Sequence, residues 1–331
     1  NLCSEITLPT GVDHHGEQRT AVCCLSSVNI EKFYKWENDE NFIPDIMKFL
    51  DNVLQDFIDN APETMKTAAY SAMRERSVGL GVMGLHSFFQ ENNVPWEGVT
   101  AKSWNKKIFV HIKERVDQVS RDLAEIKGPC PDAEEYGIKE RFSNKTAIAP
   151  TASISIICGG TSPGIEPIAA NVFSHKTLSG TFTVRNRHLK ILLKEKGRDD
   201  DETWLSILTN KGSVLHLDFL TDHEKDVYKT AIELDQNWLV DLAADRSKLI
   251  DQAQSLNIFV PADSDKSYIN EIHYNAWKKG VKSLYYCRSQ SIQRAEIASN
   301  QNKEIEVKTL DEIATETDVN EDNYDECLSC Q

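Results

Sequence analysis

Residues 1–10 read NLCSEITLPT, and they place an amide (Asn1), a thiol (Cys3) and a carboxylate (Glu5) on alternate positions. In an extended segment alternate side chains point to the same side. One face would then carry a hydrogen-bond donor, a sulfur and a base. The competing reading is an ordinary strand start with a structural cysteine, a residue type that is commonly buried. The remainder of the chain decides between them.

Working outward, residues 11–19 form a polar loop with His14 and His15 adjacent. Neighbouring histidines in a loop read as solvated more readily than as metal ligands. TAVCCLSSVNI (residues 20–30) reads as a buried β-strand, β-branched and small. It carries Cys23 and Cys24, which on a strand face opposite ways, so only one can share a site with Cys3. Pro44 suits a helix start, and Ile46, Phe49, Leu50, Val53, Leu54 and Phe57 recur at helical spacing. Gly79, Gly81 and Gly84 match G-x-G-x-x-G at a strand-to-helix junction, without the acidic partner of a dinucleotide site. They read as tight backbone packing. Phe109, Ile112, Val116, Val119 and Leu123 mark a long amphipathic helix that Gly128 and Pro129 stop.

Residues 144–167, NKTAIAPTASISIICGGTSPGIEP, contain a short apolar strand ending at Pro150, then Thr151, Ala152, Ser153, Ile154 and Ser155, then a glycine-rich turn. Hydroxyls and free backbone N–H groups at a strand end form an anion site, and equally an ordinary polar turn. Thr221 and Glu224 make a capping box that opens a helix, with helical text running through Trp238 to Ala253. Residues 257–260 read as a short strand, 267–279 as a helix stopped by Gly280, and VKSLYYC (residues 281–287) as a buried strand with adjacent Tyr285 and Tyr286. Alternating helix and strand signals argue an α/β layered or barrel fold. From about residue 301 the text turns acidic and poor in large apolar residues, as in disordered tails, yet it ends CLSCQ with Cys327 and Cys330. A vicinal dithiol on an acidic tether suits a swinging reductant.

Composition bounds the function. The chain has 331 residues, 40% hydrophobic and 27% charged, with a net charge of −15. That charge argues against a nucleic-acid surface. No apolar run approaches a membrane span and no signal peptide is visible. Eight scattered cysteines in a long chain fit a reducing, cytoplasmic setting better than a disulfide scaffold. The first residue is not Met, so the expectation is a fragment, a processed product or a trimmed chain, with a split gene or an excised insertion as further explanations.

Taken in order, NLCSE, Cys23, PTASIS with its glycine turn, KSLYY and the terminal Cys pair resemble the C-terminal catalytic part of the large subunit of class I ribonucleotide reductase. The resemblance implies a ten-stranded α/β barrel with an internal finger loop. This chain would supply its second half over residues 1–300, and a disordered acidic tail over 301–331. Cys3 matches the thiyl cysteine that takes the ribose 3′ hydrogen, Glu5 the base on the 3′ hydroxyl, and Asn1 the amide that holds the substrate hydroxyls. Cys23 matches one thiol of the reducing pair, and Cys24 is left to packing. Residues 151–155 (Thr151, Ala152, Ser153, Ile154, Ser155) fall in the substrate diphosphate loop. Tyr285 and Tyr286 match the stacked radical-transfer tyrosines, and Cys327 and Cys330 the tail pair.

The implied substrate is a ribonucleoside diphosphate, with thioredoxin or glutaredoxin as reductant. The radical would come from a metal-containing small subunit, and this chain would bind no cofactor itself. The N-terminal half of the large subunit would be a further partner, and the large subunits would form a homodimer. Four departures stand out: no residue matches the second reducing cysteine, the N-terminal effector regions are absent, Ile154 stands where some relatives carry a hydroxyl, and the tail pair Cys327 and Cys330 is more closely spaced than in some relatives. The alternatives are a cobalamin-dependent reductase, in which the tyrosines have no task, and a catalytically silent nucleotide-binding subunit.

Overall fold

The computed structural model describes residues 3–177 and 180–289. Asn1, Cys327, Cys330 and the whole segment 301–331 lie outside the described residues. In chain order, a two-residue hairpin of β1 (Gly11–Val12) and β2 (Gln18–Arg19) precedes β3 (Leu25–Asn29). Helices α1 (Phe33–Trp36), α2 (Phe42–Asn60) and α3 (Lys66–Glu75) lead to β4 (Gly79–Met83). Then come α4 (Leu85–Glu91), α5 (Val99–Lys127), α6 (Pro131–Glu134) and α7 (Ala152–Ile157). The hairpin β5 (Val172–Thr177) and β6 (Gly180–Arg185) is followed by α8 (Arg187–Glu195), α9 (Asp201–Thr209), α10 (Asp222–Val227) and α11 (Gln236–Ser247). Strand β7 (Ile258–Val260), α12 (Lys266–Lys278) and β8 (Cys287–Ser289) close the described chain.

A parallel ladder runs through the molecule. β3 pairs with β4, Leu80 bridges to Thr146, Ile148 bridges to Gln254, and β7 pairs with β8, all parallel. Helices connect successive members, as parallel pairing requires. The glycines of β4 explain the tight spacing. A Cβ on Gly81 would sit 2.5 Å from the Ala147 carbonyl oxygen, and one on Gly79 would sit 2.3 Å from Leu25 Cδ2. The triplet is a packing device, as expected from its text, and Gly84 at φ +88° turns the chain into α4. Helix α5 stops at Gly128, φ +86°, and the Thr221–Glu224 capping box forms in full.

Four expectations are corrected. The segment 20–30 is strand only over Leu25–Asn29, and Cys23 before it is exposed. On α2, Phe49 is 63% and Val53 43% exposed, whereas Ile43, Met47, Leu50, Asp51 and Leu54 face inward. The helix is rotated because Asp51 is fully buried among Arg76, Arg141 and Lys127. Burial alone would raise its pKa, but hydrogen bonds from Lys127, Arg141 and Arg76 hold the carboxyl below the usual range. Helix α11 ends at Ser247 rather than running to Ala253, because 253–255 joins the ladder through Ile148. Finally, 281–287 is not a buried strand: regular pairing begins at Cys287, and Tyr286 is 47% exposed.

The main core gathers Phe33, Phe88, Phe89 and Trp96 with the inner faces of α2, α5 and α11. A second apolar cluster, built around Trp204, Leu189 and Leu193, lies under β5 and α8 to α10.

Candidate active site

Residues 3–10 make no regular strand; they cross the ladder on separate hydrogen bonds. The Ser4 backbone N–H donates to Ser255 Oγ at 3.0 Å, Ser283 Oγ donates to the Ser4 carbonyl at 2.9 Å, and the Ala253 N–H donates to the Glu5 carbonyl at 2.8 Å. Glu5 is 2% exposed, and Ser255 Oγ donates to its carboxylate. A buried carboxylate needs such a donor. The opening segment is thus seated between the 253–255 strip and Ser283, with Cys3 half-buried beside it.

Cys23 and Cys24 precede β3 and differ in surroundings: Cys23 is exposed and Cys24 half-buried. Cys24 packs against the core and its thiol donates to the Leu50 carbonyl at 3.8 Å; burial, helped by Cys23 and Asp51, pushes its pKa up to about 11. A thiol held so far up is a poor redox partner. Cys23 points to the exposed side.

The 151–155 stretch is not a plain turn. Thr151 takes a left-handed conformation, φ +57°, and Ala152–Ile157 forms α7. A β-branched residue pays about 1–3 kcal/mol for that conformation, and such strain collects where a backbone is aimed for a purpose. Thr151 Oγ1 accepts from the Gly164 N–H at 2.7 Å, folding the glycine turn back over the start of the segment. Ser155 is buried and donates to the Ala152 carbonyl, while Ser153 and Ile154 are exposed. The turn is clamped from below. Buried Glu31 accepts from Thr161 Oγ1 at 2.7 Å and from Lys32 Nζ, and pairs with Arg187, which also donates to the Gly159 carbonyl. Burial alone would raise the Glu31 pKa; these donors and the Arg187 charge hold it down.

Tyr285 and Tyr286 have ring centroids 3.9 Å apart and planes 36° apart. Regular strand alternation would send these rings to opposite faces. The irregular backbone of 281–286 is what lets them meet. The Tyr285 N–H donates to the Leu256 carbonyl and the Ile258 N–H to the Tyr286 carbonyl, so the pair is carried by the strip next to the one that seats Glu5. The Arg288 guanidinium lies 5.2 Å from the Tyr286 ring centroid.

Sequence reasoning missed Ser255, Ser283, Glu31, Arg187 and Arg288. Ser255, Glu31 and Arg187 meet partners far away in the chain and carry no local motif; Ser283 lies within the KSLYY motif but its partner is the distant Ser4 carbonyl, and Arg288 sits two residues beyond Tyr286. His14 and His15 are not merely solvated: each shares a hydrogen bond with Glu135, at 2.9 and 2.8 Å, and Arg74 binds the same carboxylate. A cation there would have to compete with the Arg74 charge.

The parallel ladder and the helices that connect its members define an α/β domain. Over residues 1–140 and 132–287 the chain matches the family described as "Ribonucleotide reductase, barrel domain". It belongs to that family. It is 48% identical over 295 residues to the ribonucleoside-diphosphate reductase large subunit of Invertebrate iridescent virus 3, covering 88% of this chain and 46% of that protein. It is 45% identical over 303 residues to the corresponding subunit of Invertebrate iridescent virus 6, covering 90% of this chain and 31% of that one. The solved structure of the Actinobacillus ureae class Id ribonucleotide reductase alpha subunit superposes with a TM-score of 0.79 at 38% identity, covering 89% of this chain and 54% of that one. The chain spans about half the length, or less, of these relatives. No helix among the described residues is long and apolar enough to cross a membrane.

Proposed function

We propose that the chain is the catalytic portion of a class I ribonucleoside-diphosphate reductase large subunit, acting in the cytoplasm. The observation that carries this reading is the stacked Tyr285–Tyr286 pair on the strip adjoining the one that seats Glu5. A cobalamin-type enzyme has no task for that pair, and a silent binding subunit has none for a buried, serine-supported carboxylate. In this reading residues 1–300 are the second half of a ten-stranded barrel, with residues 3–10 as its finger loop. The other half, a metal-containing small subunit and a second large subunit complete the assembly, and thioredoxin or glutaredoxin supplies the electrons.

The chemistry follows from the residue types. A ribose C–H bond is too strong for acid–base attack, so a thiyl radical at Cys3 takes the 3′ hydrogen. Glu5 accepts the 3′ hydroxyl proton, and Ser255 holds that carboxylate in place. Asn1 holds the substrate hydroxyls. The 2′ hydroxyl leaves as water, and two thiols, one of them Cys23, give two electrons and two protons and become a disulfide. Cys327 and Cys330 reduce it again. Thr151, Ala152, Ser153, Ile154 and Ser155 carry the diphosphate, through backbone N–H groups and the Ser153 hydroxyl; Ile154 can offer only its backbone. Tyr285 and Tyr286 relay an electron and a proton between the small subunit and Cys3.

The test is substitution in the assembled reductase. Tyr285→Phe and Tyr286→Phe each keep the ring volume and remove the O–H; each is expected to abolish turnover while thermal melting is unchanged. Cys3→Ser is expected to abolish turnover and leave nucleoside diphosphate binding intact. Wild-type turnover in either tyrosine variant would remove the relay, and residual turnover in Cys3→Ser would remove the thiyl assignment.

A further inference from the structure

A buried carboxylate that the proposed chemistry leaves unused links the 151–164 turn to the tyrosines. Glu166 is 7% exposed and lies two residues after Gly164, whose N–H donates to Thr151. Its Oε1 accepts from the backbone N–H of Asn257 at 2.8 Å, and its Oε2 accepts from Asn257 Nδ2 at 3.0 Å. Asn257 has one side-chain atom left, Oδ1, and it accepts from the Tyr286 backbone N–H at 3.0 Å. Both groups that Asn257 turns toward residue 166 are donors, so a side chain with two acceptors is required there. An amide or an apolar side chain of equal size would strand a buried N–H. Burial pushes the Glu166 pKa up to about 7, against the two Asn257 hydrogen bonds and the charges of Arg288 and Arg246. That desolvation cost is borne at a position where simple packing would not need a charge.

We infer that Glu166 and Asn257 are a positioning pair that fixes the backbone register of Tyr286 against the 151–164 turn, so that the two tyrosine rings stay stacked when that turn engages substrate. The inference rests on the radical-relay reading for its purpose, though the strut itself does not. Neither residue touches the reacting atoms; Glu166 acts through Asn257, and Asn257 through the Tyr286 main chain. The path is short: the Thr151 hydroxyl, Gly164, Glu166, Asn257, then Tyr286.

The polarity of the strut provides its test. Glu166→Gln sets an amide donor against Asn257 Nδ2 and breaks one bond. Adding Asn257→Asp reverses the other half: the new amide donates to the new carboxylate, the backbone N–H of residue 257 keeps its acceptor, and the Tyr286 N–H keeps an oxygen. The double variant can therefore rebuild all three bonds.

The first readout is the 19F resonance of 3-fluorotyrosine substituted for Tyr286 in the intact chain, with the same label at exposed Tyr136 as a control and thermal melting as a check on folding. The second is kcat and KM for CDP in the reconstituted reductase. Glu166→Gln is expected to shift and broaden the resonance at 286 and leave that at 136 unchanged. It is expected to lower kcat by about tenfold, as small misplacements of a reacting group do, with KM held within about twofold. The double variant is expected to recover both signals.

A resonance at 286 unmoved by Glu166→Gln overturns the inference, and so does a double variant as perturbed as the single one. The two readings fail differently. If Tyr286→Phe turns over at the full rate, the relay reading has failed, whatever the 286 resonance does. If Tyr286→Phe is inactive while Glu166→Gln is fully active, the positioning role alone has failed.

Discussion

Glu75 closes α3 with both carboxylate oxygens buried and no hydrogen-bond partner among the described residues. Burial pushes its pKa from 4.5 up to about 7; Arg19 partly opposes the shift and Asp132 adds to it. The folded-state pKa is raised, so the folded chain holds a proton that the unfolded chain releases. The stabilising contribution is present below 4.5 and is lost as pH rises through about 7. A shift of that size corresponds to an effect on the order of 3 kcal/mol. Glu166 is shifted the same way, so it contributes a slope of the same sign. The expected outcome is that Glu75→Gln loses less thermal stability than the wild type between about pH 5 and about pH 8. Calorimetry at the two pH values checks it, and identical losses would mean that the carboxylate is solvated.

At the scale of elements, β4 works because it has no side chains where the ladder closes on it. The Cβ that Gly81→Ala would add meets a backbone oxygen, Ala147 O, at 2.5 Å, and a paired backbone cannot step aside. The Cβ from Gly79→Ala meets a side-chain methyl of Leu25 at 2.3 Å, which can rotate, and Ala147 Cβ at 2.9 Å, which needs only a small shift to reach ordinary contact. Both variants overpack, but Gly81→Ala is expected to cost about 3 kcal/mol and Gly79→Ala clearly less. Urea unfolding midpoints check the order; equal midpoints would show that the third member of the ladder is free to move. Helix α2 carries the complementary lesson. Its apolar text allows several rotations, and the choice is made by Asp51, which must face the Arg76, Arg141 and Lys127 charges. Breaking such a buried cluster from one side typically costs about 3–5 kcal/mol.

On the scale of the molecule, two apolar cores share one chain. The smaller, around Trp204, is tied to the larger chiefly by polar links: Asn186 to Gln90, Arg187 to Glu31, Lys229 to Glu97 and the Ile168 N–H to His86. Units with separate cores open separately. Trp204→Ala should therefore speed amide exchange in 186–228 and leave β4 and α5 protected. Mass-resolved hydrogen exchange reads this directly, and uniform acceleration across both cores would show a single cooperative unit. The clamp of Arg187 on Glu31 and Gly159 also places the smaller unit directly against the glycine-rich turn, so loosening it is expected to reach the 151–164 segment first.

The sequence by itself determined the features that local chemistry dictates. The α/β alternation, the glycine-packed strand, the Gly128 stop of α5, the Thr221–Glu224 cap and the motif order that points to the reductase barrel family all lie within short windows, where propensity, periodicity and steric rules operate. Only the tertiary structure decided what depends on distant partners. Ser255 reaches Glu5 across 250 positions, and Asn257 reaches Glu166 across 91. The rotation of α2 awaits two arginines and a lysine from elsewhere in the chain. The tyrosine rings stack only because their segment abandons strand alternation when it is pinned to its neighbour. Such pairings leave no local trace, because a buried hydrogen bond or ion pair constrains geometry in space and places no condition on the residues adjacent in sequence.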